Sequence, residues 1–291
     1  VILAALNYVN QVGQSYDFVR DITYWLCISG RSGEMIAGLI CSEDIIYFIV
    51  VSAMFLSLAI LRLNSTRQYA PKGVMWGKYL GVIAGTCLIG YITSRPMMMC
   101  FYDSTETKRM TLTPVSQEIM NSLEDGMTIT TYVNYLDRDA YYGWPEMVND
   151  DKRRFKQYLR FKPDIKMKYV YYYDTVTTNP WLMSRYPGKT IDEIAKEESE
   201  KRDWDIKKML TPKQIKKIID LEPEGNAFVR LVERKNGQKA FLRLFNDMEK
   251  HPSEAEIGVM FKRFVMDMPK VGFLTGHGEP SIIGERKRDY L

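Results

Sequence analysis

The sequence predicts a chain in two parts. A membrane α-helical segment of two spans comes first, and the end of a third is added if residues 1–9 belong to one. An extracytoplasmic α/β domain with a mixed, partly parallel sheet follows. Three observations predict this. Residues 1–100 carry seven basic and five acidic side chains, against 40 Lys+Arg and 36 Asp+Glu in all 291 residues. Two long, almost uncharged runs lie in that first third. Beyond residue 100, β-rich runs alternate with capped helices, the pattern of an α/β sheet. The formal charge of +4 is near balance and excludes a nucleic-acid coat. With 46% hydrophobic residues, a wholly disordered chain is excluded as well.

The first span is read at 45–63. Its center, IIYFIVVSAMFLSLAIL at 45–61, is bounded by Asp44 and Arg62. With its flanks it approaches the ~20 residues needed to cross a bilayer, and its apolar side chains favor insertion by roughly 4–5 kcal/mol. The second span is read at 74–93. Lys78 snorkels to the interface, and Gly81, Ala84, Gly85, Thr86 and Gly90 permit close helix packing. The connection between the spans holds Arg62, Arg67, Lys72 and Lys78 and no carboxylate, so it is expected on the cytoplasmic side. Residues before 44 and after about 100 are then outside. Residues 11–43 read as an outer loop with Tyr16, Phe18, Tyr24 and Trp25 at headgroup level. Cys27 and Cys41 share this loop, as a disulfide or as unpaired thiols. With no Cys-x-x-Cys pair, zinc is not suggested. The chain begins inside an apolar run and stops after a basic stretch, so it is expected to be a fragment, truncated at its C-terminus.

In the polar part, 101–291, Thr113-Pro114 reads as an N-cap with proline at the first helical position. It opens a helix on Val115, Ile119 and Leu123 that Gly126 ends. Residues 127–134 (MTITTYVN) and 165–173 (IKMKYVYYY) read as strands. Between them, 150–161 reads as a basic helix with Phe155, Tyr158 and Leu159 inward. Capping boxes at Thr190/Glu193, Thr211/Gln214 and Ser253/Glu256 predict three helices, the last with Ile257, Met260, Phe261, Phe264 and Met268 on one face. Strands at 227–234 and 239–245 are joined through Asn236-Gly237, a favored hairpin turn. A short buried strand is expected at 270–274. The stretch 181–210 has no recognizable pattern beyond its capping box.

Candidate chemistry is sparse. Gly188-Lys189-Thr190 resembles the end of a phosphate-binding loop, but Met183 stands where the motif needs glycine, so Thr190 is read as a helix cap. Gly276, His277, Gly278 and Glu279 follow the predicted 270–274 strand. They read as a ligand loop or as a tight turn that uses glycine's positive φ. No Gly-x-Ser-x-Gly is present and all four cysteines lie at or before residue 100, so no catalytic, cofactor or metal residue is assigned. His251, near Asp247, Glu254 and Glu256, reads as part of an exposed helix start.

Two stretches carry a family resemblance. DSTETKRMTLTP at 103–114, just after a span, resembles the signature of gliding-motility-type auxiliary proteins of ABC transporters. KVGFLTGHGE at 270–279 is similar to that family's strand and Gly-His-Gly-Glu segment. Upstream, Asp44-Ile-Ile-Tyr-Phe48 and the span after it are similar to the last transmembrane segment of type-2 ABC exporter permeases. The resemblance implies a permease end fused to an auxiliary protein, multi-pass in the inner membrane. It implies an ATP-binding partner subunit that hydrolyses ATP, other permease helices as neighbors, and a cargo or envelope partner for the outer domain. It also implies an amidotransferase-like fold without a catalytic cysteine. Asp103, Arg109, Thr113 and Pro114 are then expected to form a connector at the membrane surface. Two other expectations stand beside this one: a membrane-anchored hydrolase or ligand-binding enzyme using His277 and Glu279, and a structural envelope anchor.

Overall fold

The computed structural model describes residues 16, 19–20, 28–67, 71–93, 100–202, 204–267 and 272. The chain divides into two compact units, Val1–Thr111 and Leu112–Leu291.

In the first unit, α1 (Ile28–Ile36) leads through Gly38 into β1 (Leu39–Cys41). Two long helices follow, α2 (Ser42–Arg67) and α3 (Lys72–Thr93), packed on one another. At 1.5 Å per residue they extend ~39 and ~33 Å, enough to cross hydrocarbon. Their most apolar windows have mean hydropathies of 2.4 and 1.2, and only 11% of each is buried. Side chains such as Ile49, Leu56, Trp76 and Leu80 lie exposed on their faces. Both helices are thus long and apolar enough to span a membrane.

Residues 11–43, expected as an outer loop, contain α1 and β1. β1 pairs antiparallel with β2 (Phe101–Asp103), which follows α3. The clasp is reinforced by one backbone and one side-chain hydrogen bond. Ser42 N–H donates to Cys100 O at 2.8 Å, and Cys100 N–H donates to Ser42 Oγ at 2.9 Å. The start of α2 and the segment after α3 are therefore tied together. This pairing is why residues 101–111 cluster with the helices and not with the sheet.

The second unit is built on a four-stranded sheet in the order β4–β3–β5–β6. β3 (Met127–Asn134) and β4 (Lys166–Tyr172) are parallel, joined by α5 (Val148–Arg154) and α6 (Lys156–Phe161). β5 (Val229–Arg234) is antiparallel to β3, and β6 (Lys239–Arg243) is antiparallel to β5. The mixed, partly parallel sheet expected from the sequence is present. One face carries Met127, Ile129 and Val232 against α4 (Pro114–Asn121), α6 and α10 (Glu254–Lys262). The other face carries Tyr132, Val229 and Leu231 against Ile215 of α9 (Pro212–Ile218). At the carboxyl end of β3, Val133 and Leu136 pack with α7 (Pro180–Arg185) and α8 (Ile191–Arg202).

All three expected capping boxes are made: Thr190–Glu193, Thr211–Gln214 and Ser253–Glu256. Several boundaries differ. α4 ends at Asn121 with Ser122 as C-cap, short of Gly126, and Val115 is exposed, not inward. The basic helix is two helices broken at Phe155, whose ring turns into the core. The hairpin turn spans three residues. Gly237 N–H donates to Arg234 O at 3.0 Å, and only Gly237, at φ 90°, is left-handed. A two-residue type I′ turn would need Asn236 at positive φ as well. Of the expected 270–274 strand only Gly272 is among the described residues, and Met268 lies outside them.

Candidate functional site

β3 and β4 run the same way, so their carboxyl ends lie side by side at one edge of the sheet. In α/β sheets this is where ligands sit. A cleft of about 670 Å³ lies there, with Asp137, Arg138, Asn179, Trp181, Glu224 and Asn246 among its lining residues. A smaller pocket of about 200 Å³ shares Asp137, Arg138 and Asn179 with it and is lined also by Arg185, Glu198 and Arg202.

The floor is held by one fully buried side chain, Asn134, the last residue of β3. Its Nδ2 donates to Asp174 O (3.0 Å) and Asn226 O (2.9 Å). Its Oδ1 accepts from Leu136 N–H (3.1 Å) and Asp174 N–H (3.3 Å). Three loops thus meet on one amide. Tyr172 OH donates to the same Asn226 carbonyl at 3.0 Å. Asp137 closes a second clasp, its Oδ2 accepting from Phe228 N–H at 2.6 Å and its Oδ1 from the Thr178 hydroxyl. Gly225, at φ 66°, lies so near Thr177 that an added Cβ would fall 2.2 Å from its hydroxyl. The loops are therefore packed shut around the cleft.

The carboxylates of the lining are already engaged. Glu224 forms a bidentate pair with Arg243 (2.6 and 2.6 Å), Asp139 pairs with Lys250 (3.1 Å) and Glu222 with Lys216 (2.5 Å). Among the described residues the lining contains no Ser, Cys, His or Lys. What it offers is neutral hydrogen bonding from Thr177, Asn179 and Asn246, one arginine, and apolar surface.

Beneath the sheet face that meets α5 and α6 lies a buried charge cluster. Arg230 of β5, fully buried, donates to Asp151 Oδ1 of α5 at 2.5 Å, and Tyr169 OH of β4 donates to Asp151 Oδ2 at 2.9 Å. The guanidinium lies 4.8 Å from the Phe228 ring centroid and 5.3 Å from that of Phe155. His251, expected in an exposed helix start, is instead largely covered, edge-on to Tyr142 with ring centroids 4.8 Å apart. Burial, followed by the nearby positive charges of Arg230 and Arg154, lowers its pKa to about 4, with Asp151 opposing and Lys250 adding a smaller downward push. A depressed histidine means that the unfolded chain takes up a proton the folded one refuses. Stability is therefore full above the unfolded value near 6.5 and is lost as pH falls toward 4. The expected loss is on the order of 2 kcal/mol after allowing for partial exposure. Denaturant unfolding of the full chain from pH 7 to 4 should show this slope, and His251→Gln should flatten it.

The residues expected at the connector are organized around Asp103. Its buried carboxylate accepts from Thr105 N–H (2.9 Å), Thr105 Oγ1 (2.5 Å), Met110 N–H (2.9 Å) and Thr111 Oγ1 (3.4 Å). Burial pushes this carboxyl up, but the hydrogen bonds from Thr105, Met110 and Thr111 together outweigh it and hold its pKa below the usual value. Lys108 Nζ donates to Asp103 O at 2.6 Å and completes the turn. Arg109 is exposed, its N–H on Thr105 Oγ1 at 3.1 Å. Thr113 and Pro114 belong to the second unit. Thr113 caps α4, and its N–H and hydroxyl both donate to Glu254 Oε1 (2.8 and 2.9 Å) at the start of α10. The structure thus folds Asp103 and Arg109 into one loop and binds Thr113 to another helix.

Thr190 is the helix cap it was expected to be, and Lys189 pairs with Glu197. Gly276, His277, Gly278, Glu279 and Cys27 lie outside the described residues. Sequence spacing also missed a trio in the first unit. Glu34, Cys41 and Asp44 bring ligand atoms within 4.8 Å of one another, donors of a kind that suits a divalent cation. Comparison with known protein families, characterized proteins and solved structures found no match to this chain.

Proposed function

We propose that this chain is a permease/auxiliary subunit of an ABC transport complex of the gliding-motility kind, multi-pass in the inner membrane with its α/β unit outside. ATP would be hydrolysed by a separate subunit, and α2 and α3 would meet partner permease helices. The observation that carries the reading is the pair of apolar helices closed by β1 and β2, directly followed by the Asp103-centered loop. That loop falls in one of the segments with the family resemblance, 103–114. Movement driven at the ATPase would reach the outer unit along α3 and through this loop, which is rigid enough to transmit it because its hydrogen bonds converge on one carboxylate. The basic α2–α3 connection supports its cytoplasmic placement. His277 and Glu279, on which the hydrolase reading rests, lie outside the described residues.

The test is purification of the protein from its own cells in mild detergent, with mass spectrometry of what accompanies it. A stoichiometric subunit with an intact phosphate-binding loop is expected, and its absence with the protein abundant would sink the proposal. Within the complex, Arg109→Glu should leave assembly and melting temperature unchanged but abolish transport. Normal transport would remove the connector from the mechanism.

A further inference from the structure

We propose that the cleft at the carboxyl ends of β3 and β4 binds a saccharide. The argument starts from Trp181, on the second residue of α7, which is 76% exposed and lines the cleft. An exposed indole leaves a large apolar face in water, and Pro180, Pro223 and Phe245 extend the apolar surface around it. On the same lining stand groups that exchange hydrogen bonds with hydroxyls: Thr177, Asn179, Asn246 and Arg138. Arg138 is held in place, its Nη2 donating to Asn246 Oδ1 at 3.0 Å. A pyranose ring has the matching duality, with C–H faces to lie on an indole and a rim of hydroxyls to be bound at the edge.

Charge narrows the class. Glu224, Asp139 and Glu222 are paired with Arg243, Lys250 and Lys216, and Asp137 is engaged by Phe228 N–H and Thr178. Among the described residues Asp137 is the lining carboxylate with no cation beside it, and both its oxygens are already taken up by Phe228 N–H and the Thr178 hydroxyl, so little is left to hold a cation on the indole. A lone Arg138 among four carboxylates opposes a polyanion such as a nucleotide. A neutral polyhydroxylated ligand satisfies both conditions. The volume of about 670 Å³ falls within the ~300–1,000 Å³ typical of small-molecule sites. The floor is pre-formed through Asn134, so little ordering is required on binding.

The biological meaning of such a site rests on reading the α/β unit as the cargo- or envelope-facing part of a transport subunit. Its test needs neither ATP nor a partner, so the two ideas fail separately. The full chain, in a detergent without a sugar headgroup, is applied to an array of neutral and acidic oligosaccharides, and the strongest ligands are titrated by calorimetry. Binding of a neutral oligosaccharide is expected. Trp181→Ala should weaken it about tenfold or more, as truncation of an aromatic anchor does, while Trp181→Phe keeps most of it. Neither variant should change the melting temperature, because Trp181 lies outside the core. No saccharide binding, binding only of acidic sugars, or binding indifferent to Trp181→Ala would each overturn the proposal.

Discussion

Arg230→Ala is expected to destabilize the α/β unit by about 3–5 kcal/mol, the cost of leaving a buried charge without its partner. Arg230 and Asp151 are both essentially inaccessible, with side-chain exposures of 0% and 1%. Removing the guanidinium strands the Asp151 carboxylate, with only Tyr169 OH still donating to it. It also opens a gap between Phe155 and Phe228, the two rings the guanidinium faces. The pair spans β5 and α5, so its loss separates the sheet from its covering helix. The double variant Arg230→Met/Asp151→Leu should recover most of the loss, since apolar replacement of both partners avoids the desolvation cost. Denaturant unfolding of the full chain, with hydrogen exchange at the β3 and β5 amides, measures both. A loss below about 1 kcal/mol in Arg230→Ala would show that the charge is not buried in solution.

The second large effect is expected at Asn134. Asn134→Ala removes four hydrogen bonds and leaves four backbone groups, at Leu136, Asp174 (two) and Asn226, without this partner in a buried setting. Each such group costs about 1–3 kcal/mol, and partial relaxation brings the expected total to about 3–5 kcal/mol. Asn134→Asp is the sharper experiment because it keeps the volume. It replaces two donors with an oxygen that faces the carbonyls of Asp174 and Asn226. The ionized acid is disfavored there, so its pKa in the folded state is raised. The variant should be least destabilized below the ordinary carboxylate value and should lose stability as pH rises through the raised one. Saccharide binding should fail in Asn134→Ala at temperatures where the sheet still holds, since the three loops around the cleft are released first. Equal melting temperatures for wild type and Asn134→Ala would remove Asn134 as the clasp.

Local signals were read well wherever the physics is local. The three capping boxes form because a Thr or Ser side chain and a Glu or Gln three residues later satisfy each other's backbone donors without help from the rest of the chain. β3 was legible at both ends because MTITTYVN is a β-branched run closed by turn residues. The basic helix was half-legible. Charge pattern located it, but the break at Phe155 follows from that ring's place in the core, and Asp151 turns inward to meet a residue 79 positions away. His251 was misread for the same reason: its cover is the Tyr142 ring, more than 100 positions earlier.

The cleft is not evident from the sequence, although the rule that ligands sit at the carboxyl ends of strands holds for it. In the sequence, residues 276–279 read as a ligand loop or a tight turn after an expected strand, whereas the described parallel pair is β3 and β4. Asn134-Tyr-Leu-Asp137, directly after a strongly β-rich run, was the available signal. Trp181 is not legible in the sequence, because the segment around it shows no periodicity and an indole on a short helix looks the same whether it packs or meets a ligand.

The sequence by itself determined two apolar helices joined by a basic turn, then an α/β unit with a partly parallel sheet, because hydrophobic length, capping and strand alternation each act within a few residues. Only the tertiary structure decided that β1 and β2 close the helix pair, that Arg230 and Asp151 share a buried site, and that Asn134 draws three loops around a cleft. Each of these depends on a partner distant in the chain, and neither composition nor spacing encodes which distant group will satisfy a buried charge or amide.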